Sequence, residues 1–114
     1  MSKKVRNATL YKHYFNDFYK KLDRKSKAKV DWTIKLVEHQ QHVPIDYFKK
    51  LTDTDGIWEI RVKQGSNIFR ILCFFDTGSL IILENGFQKK TQKTPKSEIE
   101  KAERIKKDYF NEKK

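Results

Sequence analysis

The apolar positions of this chain change their period near its middle. In the first half they recur at three- and four-residue intervals. Phe15, Phe18, Tyr19 and Leu22 share one face at helical spacing, and Asn16 or Asp17 can cap that helix. A short strand is expected over 9–14, ahead of it. Val30, Ile34 and Val37 form the stripe of a second helix, with Trp32 and Leu36 to one side and Ser26 as an interruption or cap. Pro44 blocks its continuation and can open a short helix over 45–51. Beyond the turn sequence Asp53-Thr54-Asp55-Gly56 the pattern alternates: Trp58, Ile60 and Val62 one way, Glu59, Arg61 and Lys63 the other. Two further strands follow, over 68–75 and 80–87. Thr94 and Pro95 then suit a helix start, and Ile99, Ala102, Ile105 and Tyr109 form its inner stripe.

The order strand, helices, three antiparallel strands, helix predicts an α+β domain with helices on one sheet face. No Pro-, Gly- or Ser-rich linker and no repeat divides the chain, so residues 1–114 are read as a single domain. Fifteen aromatics, eight Phe, five Tyr and two Trp, supply a core and argue against disorder. The longest apolar run, 71–75, is far short of the ~20 residues of a membrane helix, so no membrane partner is expected. No apolar stretch follows the basic start Lys3-Lys4-Val5-Arg6, and one cysteine permits no disulfide framework. A cytoplasmic location is the expectation.

Charge sharpens the picture. There are 26 Lys+Arg against 15 Asp+Glu, a formal net charge of +11. Residues 1–30 hold ten basic and two acidic residues, 88–114 ten and five, and the strand-rich 57–87 three of each. Two basic flanks around a neutral sheet fit a polyanion partner. Within the neutral part, Arg70 interrupts the most apolar strand. A charge there needs the open sheet face or a partner such as Glu59 or Glu84. Arg61 and Lys63 share a strand face, and with Arg70 they make a three-cation cluster if the register allows. Gly86-Phe87-Gln88-Lys89-Lys90-Thr91-Gln92-Lys93-Thr94-Pro95 gathers lysines and hydroxyls ahead of a helix N-terminus, a composition suited to phosphate. His39 and His42 cluster at i,i+3 where a helix ends, but no third ligand is recognised near them and one cysteine makes no Cys-based site, so no metal or cofactor is expected; Cys73 reads as core.

The stretches Asp55-Gly56-Ile57-Trp58-Glu59-Ile60-Arg61-Val62, Asn67-Ile68-Phe69-Arg70-Ile71-Leu72 and Gly86 to Pro95 resemble, in this order and spacing, the phage-derived HigB-like branch of the RelE/ParE toxin superfamily. The resemblance implies a RelE-like, microbial-RNase-like antiparallel sheet of about four strands, with N-terminal helices on one face and a C-terminal helix. It implies a type II toxin–antitoxin system whose toxin cuts mRNA on the ribosome and is neutralised by a helix-turn-helix antitoxin. Carried over by position, Arg61, Lys63, Arg70, Lys89 and Lys90 fall on the active-site cations. The RelE tyrosine of the last segment has no counterpart among Thr94, Pro95 and Lys96, and the His/Asp/His set of some HigB enzymes is missing, so the general base stays open.

On that reading the RNA 2′-OH attacks the adjacent phosphate. Arg61 and Arg70 clamp the phosphate, and Lys89 or Lys90 stabilises charge or donates the proton. Lys63 is a candidate base, although an ordinary lysine near 10.4 needs neighbouring cations to lower it. Lys20, Lys21, Lys25, Lys27 and Lys29, with Thr91 and Lys93, would bind RNA of the ribosome. The competing readings are a ParE-like gyrase poison and a non-catalytic basic RNA- or DNA-binding module.

Overall fold

The computed structural model describes residues 3–113; Met1, Ser2 and Lys114 lie outside it. The strands are β1 (Asn7–Leu10), β2 (Phe48–Lys50), β3 (Trp58–Gln64), β4 (Asn67–Phe75) and β5 (Leu80–Gln88), and the helices α1 (Tyr14–Tyr19), α2 (Arg24–His39) and α3 (Lys96–Glu112). The strands form one sheet in the order β1-β5-β4-β3-β2. All neighbours run antiparallel except β1, which lies parallel to β5. The sheet therefore has five strands rather than about four, and it is mixed.

The alternation along β3 and β4 sends successive side chains to opposite faces, and each face meets different helices. Phe15 of α1 and Val30 and Val37 of α2 pack with Ile60, Val62, Phe69, Ile71 and Cys73. Ala102 and Ile105 of α3 pack on the other face, against Ile57, Leu72, Phe74 and Ile82. The helices therefore do not share one face. Burying a side chain such as Ile60 or Phe74 contributes about 1.5–3 kcal/mol, so both layers are needed. Opposite Leu72 the register shifts: Ile71 pairs with Gly86 and Cys73 with Leu83, so Glu84 and Asn85 both oppose Leu72 in a bulge. Just past it, a Cβ on Gly86 would run into the Phe18 ring, so α1 seats on the sheet only because this residue is glycine.

Four local expectations are corrected. The first strand is Asn7–Leu10, and Tyr14 already begins α1, whose N-cap His13 makes no side-chain cap bond in place of Asn16 or Asp17. Asp23, not Ser26, caps α2 by accepting the Ser26 N–H at 2.7 Å. No helix forms over 45–51. The Tyr47 and Phe48 N–H groups bond back to Pro44 O, and the chain then extends as β2. Phe48 pairs with Ile60 and stacks on Trp58 with ring centroids 4.7 Å apart. Sheet pairing and aromatic burial thus outweigh the one turn that Pro44 starts. Finally, Pro95 rather than Thr94 is the N-cap of α3, because the Thr94 hydroxyl is engaged elsewhere.

Candidate active site

Strand β3 presents Glu59, Arg61 and Lys63 on the face that α3 covers only in part. The apolar contacts of α3 reach Leu72 and Phe87 and leave the Arg61–Arg70 region to polar groups. Register places Arg61 directly opposite Arg70. The Arg61 N–H donates outward to Tyr47 O at 2.8 Å, so this is a non-hydrogen-bonded pair, the closer of the two antiparallel pair types. Two guanidinium groups brought together in this way repel each other.

Glu59 resolves that repulsion. It is 1% exposed, and its Oε1 lies 3.1 Å from Arg61 Nε and 3.3 Å from Arg70 Nε. The Arg61 contact is an aligned hydrogen bond, whereas that to Arg70 is an ionic approach without hydrogen-bond alignment. Arg70 Nη1 donates to Phe69 O at 3.1 Å, and Arg61 Nη1 donates to Ile45 O at 3.3 Å. Thr94, from the loop ahead of α3, donates its hydroxyl to Glu59 Oε2. One buried carboxylate thus fixes two arginines and the loop that closes over them. A single negative charge between two positive ones leaves the group cationic.

Burial lowers the Arg70 guanidinium from its ordinary value, Glu59 opposes that shift, and Arg61 adds to it. Lys89 joins the group from the end of β5, its N–H bonded to Ile68 O at 2.7 Å. Its amine is lowered first by burial and then by Arg70, with Glu59 working against both and Arg61 and Lys49 adding to them. Lys49, on β2 in register with Glu59, belongs to the same field. Arg61, Lys63 and Arg70 also wall a cleft of about 560 Å³ that wraps the edge of β3 left bare by the short β2. Lys29, Asp46, Tyr47, Val62, Gly65 and Ile68 complete its wall.

The structure therefore brings together Arg61, Arg70 and Lys89, with Lys63 beside them at an exposed position on the same face. Lys90, one residue beyond Lys89, is exposed where Lys89 is half-buried, and neither lysine lines the cleft itself. Thr91 and Lys93 are exposed, with the Thr91 hydroxyl donating to Lys93 O at 2.8 Å. Lys20, Lys21 and Lys25 are exposed around the α1–α2 junction, with Lys20 3.7 Å from Asp17 and Lys27 over the Tyr19 ring. Of that basic stretch, Lys29 alone lines the cleft. Cys73 is fully buried, and burial holds its thiol up. The sequence reading offers Glu59 only as one of two partners for Arg70, and it gives Lys49 and Tyr47 no role. The signal for Glu59 is its place two residues from Arg61 on the same strand face; Lys49 depends on a strand pairing the sequence reading lacks.

No helix among the described residues is long and apolar enough to cross a membrane. No curated protein matches the chain. The model of the Gp49-like phage-derived protein family (DUF891), however, matches residues 17–107, from α1 through most of α3 and across the whole cation cluster. The chain belongs to that family, a RelE/HigB-like toxin family of toxin–antitoxin systems, which implies an antitoxin partner.

Proposed function

We propose that this protein is the toxin of a type II toxin–antitoxin system and acts as an endoribonuclease on mRNA held by the ribosome, in the cytoplasm, without a metal cofactor. Its neutralising partner would be a helix-turn-helix antitoxin. The observation that carries the reading is the opposed Arg61–Arg70 pair, held by one buried carboxylate at the wall of a cleft.

The chemistry asks for groups of this kind. The 2′ oxygen attacks phosphorus, its proton passes to a base, the P–O5′ bond breaks, and the leaving 5′ oxygen takes a proton. Charge on the phosphoryl oxygens rises along the way, and preorganised cations stabilise it. Guanidinium groups bind those oxygens bidentately, the role given to Arg61 and Arg70. Glu59 is a positioning residue: it makes the arginines converge and removes the cost of holding them together. Lys89 donates to the leaving oxygen. A cationic, part-buried surrounding lowers its amine and so makes the ammonium a better acid. Lys90, one position further, is the alternative donor. Lys63, on the cleft wall, is the candidate to accept the 2′-OH proton. The basic stretch over 20–29 and the loop bearing Thr91 and Lys93 supply affinity for ribosomal RNA.

The test is single-turnover cutting of mRNA on programmed ribosomes. The wild type is expected to leave 2′,3′-cyclic phosphate and 5′-OH ends and to tolerate EDTA added after ribosome assembly at concentrations that keep ribosomes intact. Arg70→Ala is expected to slow cutting about 100- to 1,000-fold. Magnesium-dependent ends bearing a 5′-phosphate overturn the mechanism. DNA breaks on induction, with mRNA intact, identify the gyrase poison, and RNA binding without cutting identifies the passive module.

A further inference from the structure

Trp32 is one of three exposed large apolar side chains among the described residues, at 47% exposure, and its surroundings rather than its exposure single it out. It lies on α2 away from the buried stripe of Val30, Thr33 and Val37. It is not a loose surface ring. Tyr47 packs against it with centroids 5.8 Å apart and planes at 67°, and Lys29 holds its ammonium 4.3 Å from the ring centroid. Both neighbours also wall the cleft that contains Arg61, Lys63 and Arg70. Tyr47 is tied to that site through its backbone oxygen, which accepts the Arg61 N–H at 2.8 Å. A propped aromatic thus stands beside the cationic cleft, packed on two residues of its wall, one of them a cation and the other bonded through its backbone to one of the clamping arginines.

We infer that Trp32, braced by Tyr47 and flanked by Lys29, is a stacking platform for the unpaired mRNA base next to the phosphate held by Arg61 and Arg70. The inference rests on the nuclease reading above and adds a subsite to it. Single-stranded RNA offers a π face at every nucleotide, and aromatic side chains beside a cationic track are the usual way to hold it. A platform of this kind tolerates any base while fixing the distance between base and scissile phosphate. Lys29 then serves the neighbouring phosphate, moving off the ring as the base arrives. The same cation over the bare ring keeps the platform soluble in the free protein.

Single-turnover cutting on programmed ribosomes below saturation tests this with Trp32→Ala, Trp32→Phe and Trp32→Tyr. Loss of one base stack predicts cutting about 5- to 150-fold slower for Trp32→Ala. Phe and Tyr should restore most of the rate, with thermal melting near wild type in all three. A second arm places 4-thiouridine in the mRNA on either side of the cut and maps crosslinks made by the Arg70→Ala protein. The platform predicts a crosslink from mRNA to the α2 peptide carrying Trp32. Wild-type cutting that is unchanged in Trp32→Ala overturns the platform and leaves the nuclease reading standing. Crosslinks from mRNA that map only to peptides other than the one carrying Trp32 overturn its assignment to mRNA. A wild type that cuts no mRNA overturns the nuclease reading, and the platform with it.

Discussion

Along β3 and β4, neighbouring residues live under opposite rules. Ile60, Ile71 and Cys73 have no exposed surface and belong to one apolar cluster with side chains of α1, α2 and the sheet. One residue away, on the other face, Glu59 at 1% and Arg70 at 8% exposure are nearly as deep, yet they are charged and lean on each other. The dry face is held by many small, interchangeable contacts, each replaceable by a side chain of similar volume. The charged face depends on a few specific ones, and losing a partner there leaves a buried charge uncompensated. Depth alone therefore does not distinguish a core from a site. What distinguishes them here is that the second face retains excess positive charge and opens onto a cleft.

The largest break in this contrast should come from Glu59→Ala, which leaves Arg61 and Arg70 opposed without their shared anion. It should cost about 3 kcal/mol in urea denaturation, against about 1 kcal/mol for Ile71→Val on the dry face. Equal costs for the two variants would show that Glu59 is not the organising charge.

A second, smaller test concerns Glu84, the other buried carboxylate of the sheet. It has no exposure, and neither of its oxygens has a hydrogen-bond partner among the described residues. Burial pushes its carboxyl up from 4.5 to about 9, with only Lys106 opposing the shift. The folded state therefore keeps a proton that the unfolded chain has already lost. This group's contribution to stability is complete below pH 4.5 and falls by up to roughly tenfold in the folding constant per pH unit toward about 9. Glu84→Gln should remove that fall, so melting temperatures at pH 5 and pH 8 should lie closer together in the variant. An identical pH dependence in both proteins would mean that Glu84 is solvated or paired in solution. If confirmed, the contrast sharpens: Glu59 lies between two arginines, and Glu84, which has none, is held neutral by burial.

The smallest effect on folding is expected from Lys21→Glu combined with Lys25→Glu, at exposed positions by the α1–α2 junction. Stability should stay within about 0.5 kcal/mol of wild type. Ribosome binding should weaken, and its dependence on salt should become less steep. Unchanged binding would remove this segment from the RNA-contacting surface.

The alternation from Trp58 to Lys63 was enough to separate the two faces of β3, because a strand's period leaves no other arrangement. The stripes of α2 and α3 were equally plain, since each buries one continuous side. The polar face also named Arg61 as a candidate cation, the charge inside an apolar strand named Arg70, and the lysine-rich stretch ahead of α3 named Lys89. Local signals failed where tertiary contacts overrode them. Pro44 announces a helix, but Phe48 gains more by pairing with Ile60 beneath Trp58. Thr94 has the chemistry of a cap, but a buried carboxylate claims its hydroxyl.

What the sequence by itself determined is therefore the identity of the elements other than β2, the charged face and the family pattern. All of these are written in residue type and spacing along one strand or helix. What only the tertiary structure decided is which cations meet: Arg61 against Arg70, Glu59 between them, Lys49 and Lys89 beside them, and Lys29, Tyr47 and Trp32 at the rim. These neighbours come from different elements, and their distances depend on strand register, on β1 joining β5 in parallel, and on α3 taking the opposite face from α1 and α2. None of that is encoded by local periodicity, because register and layer order are set by how the whole set of apolar faces can be buried at once.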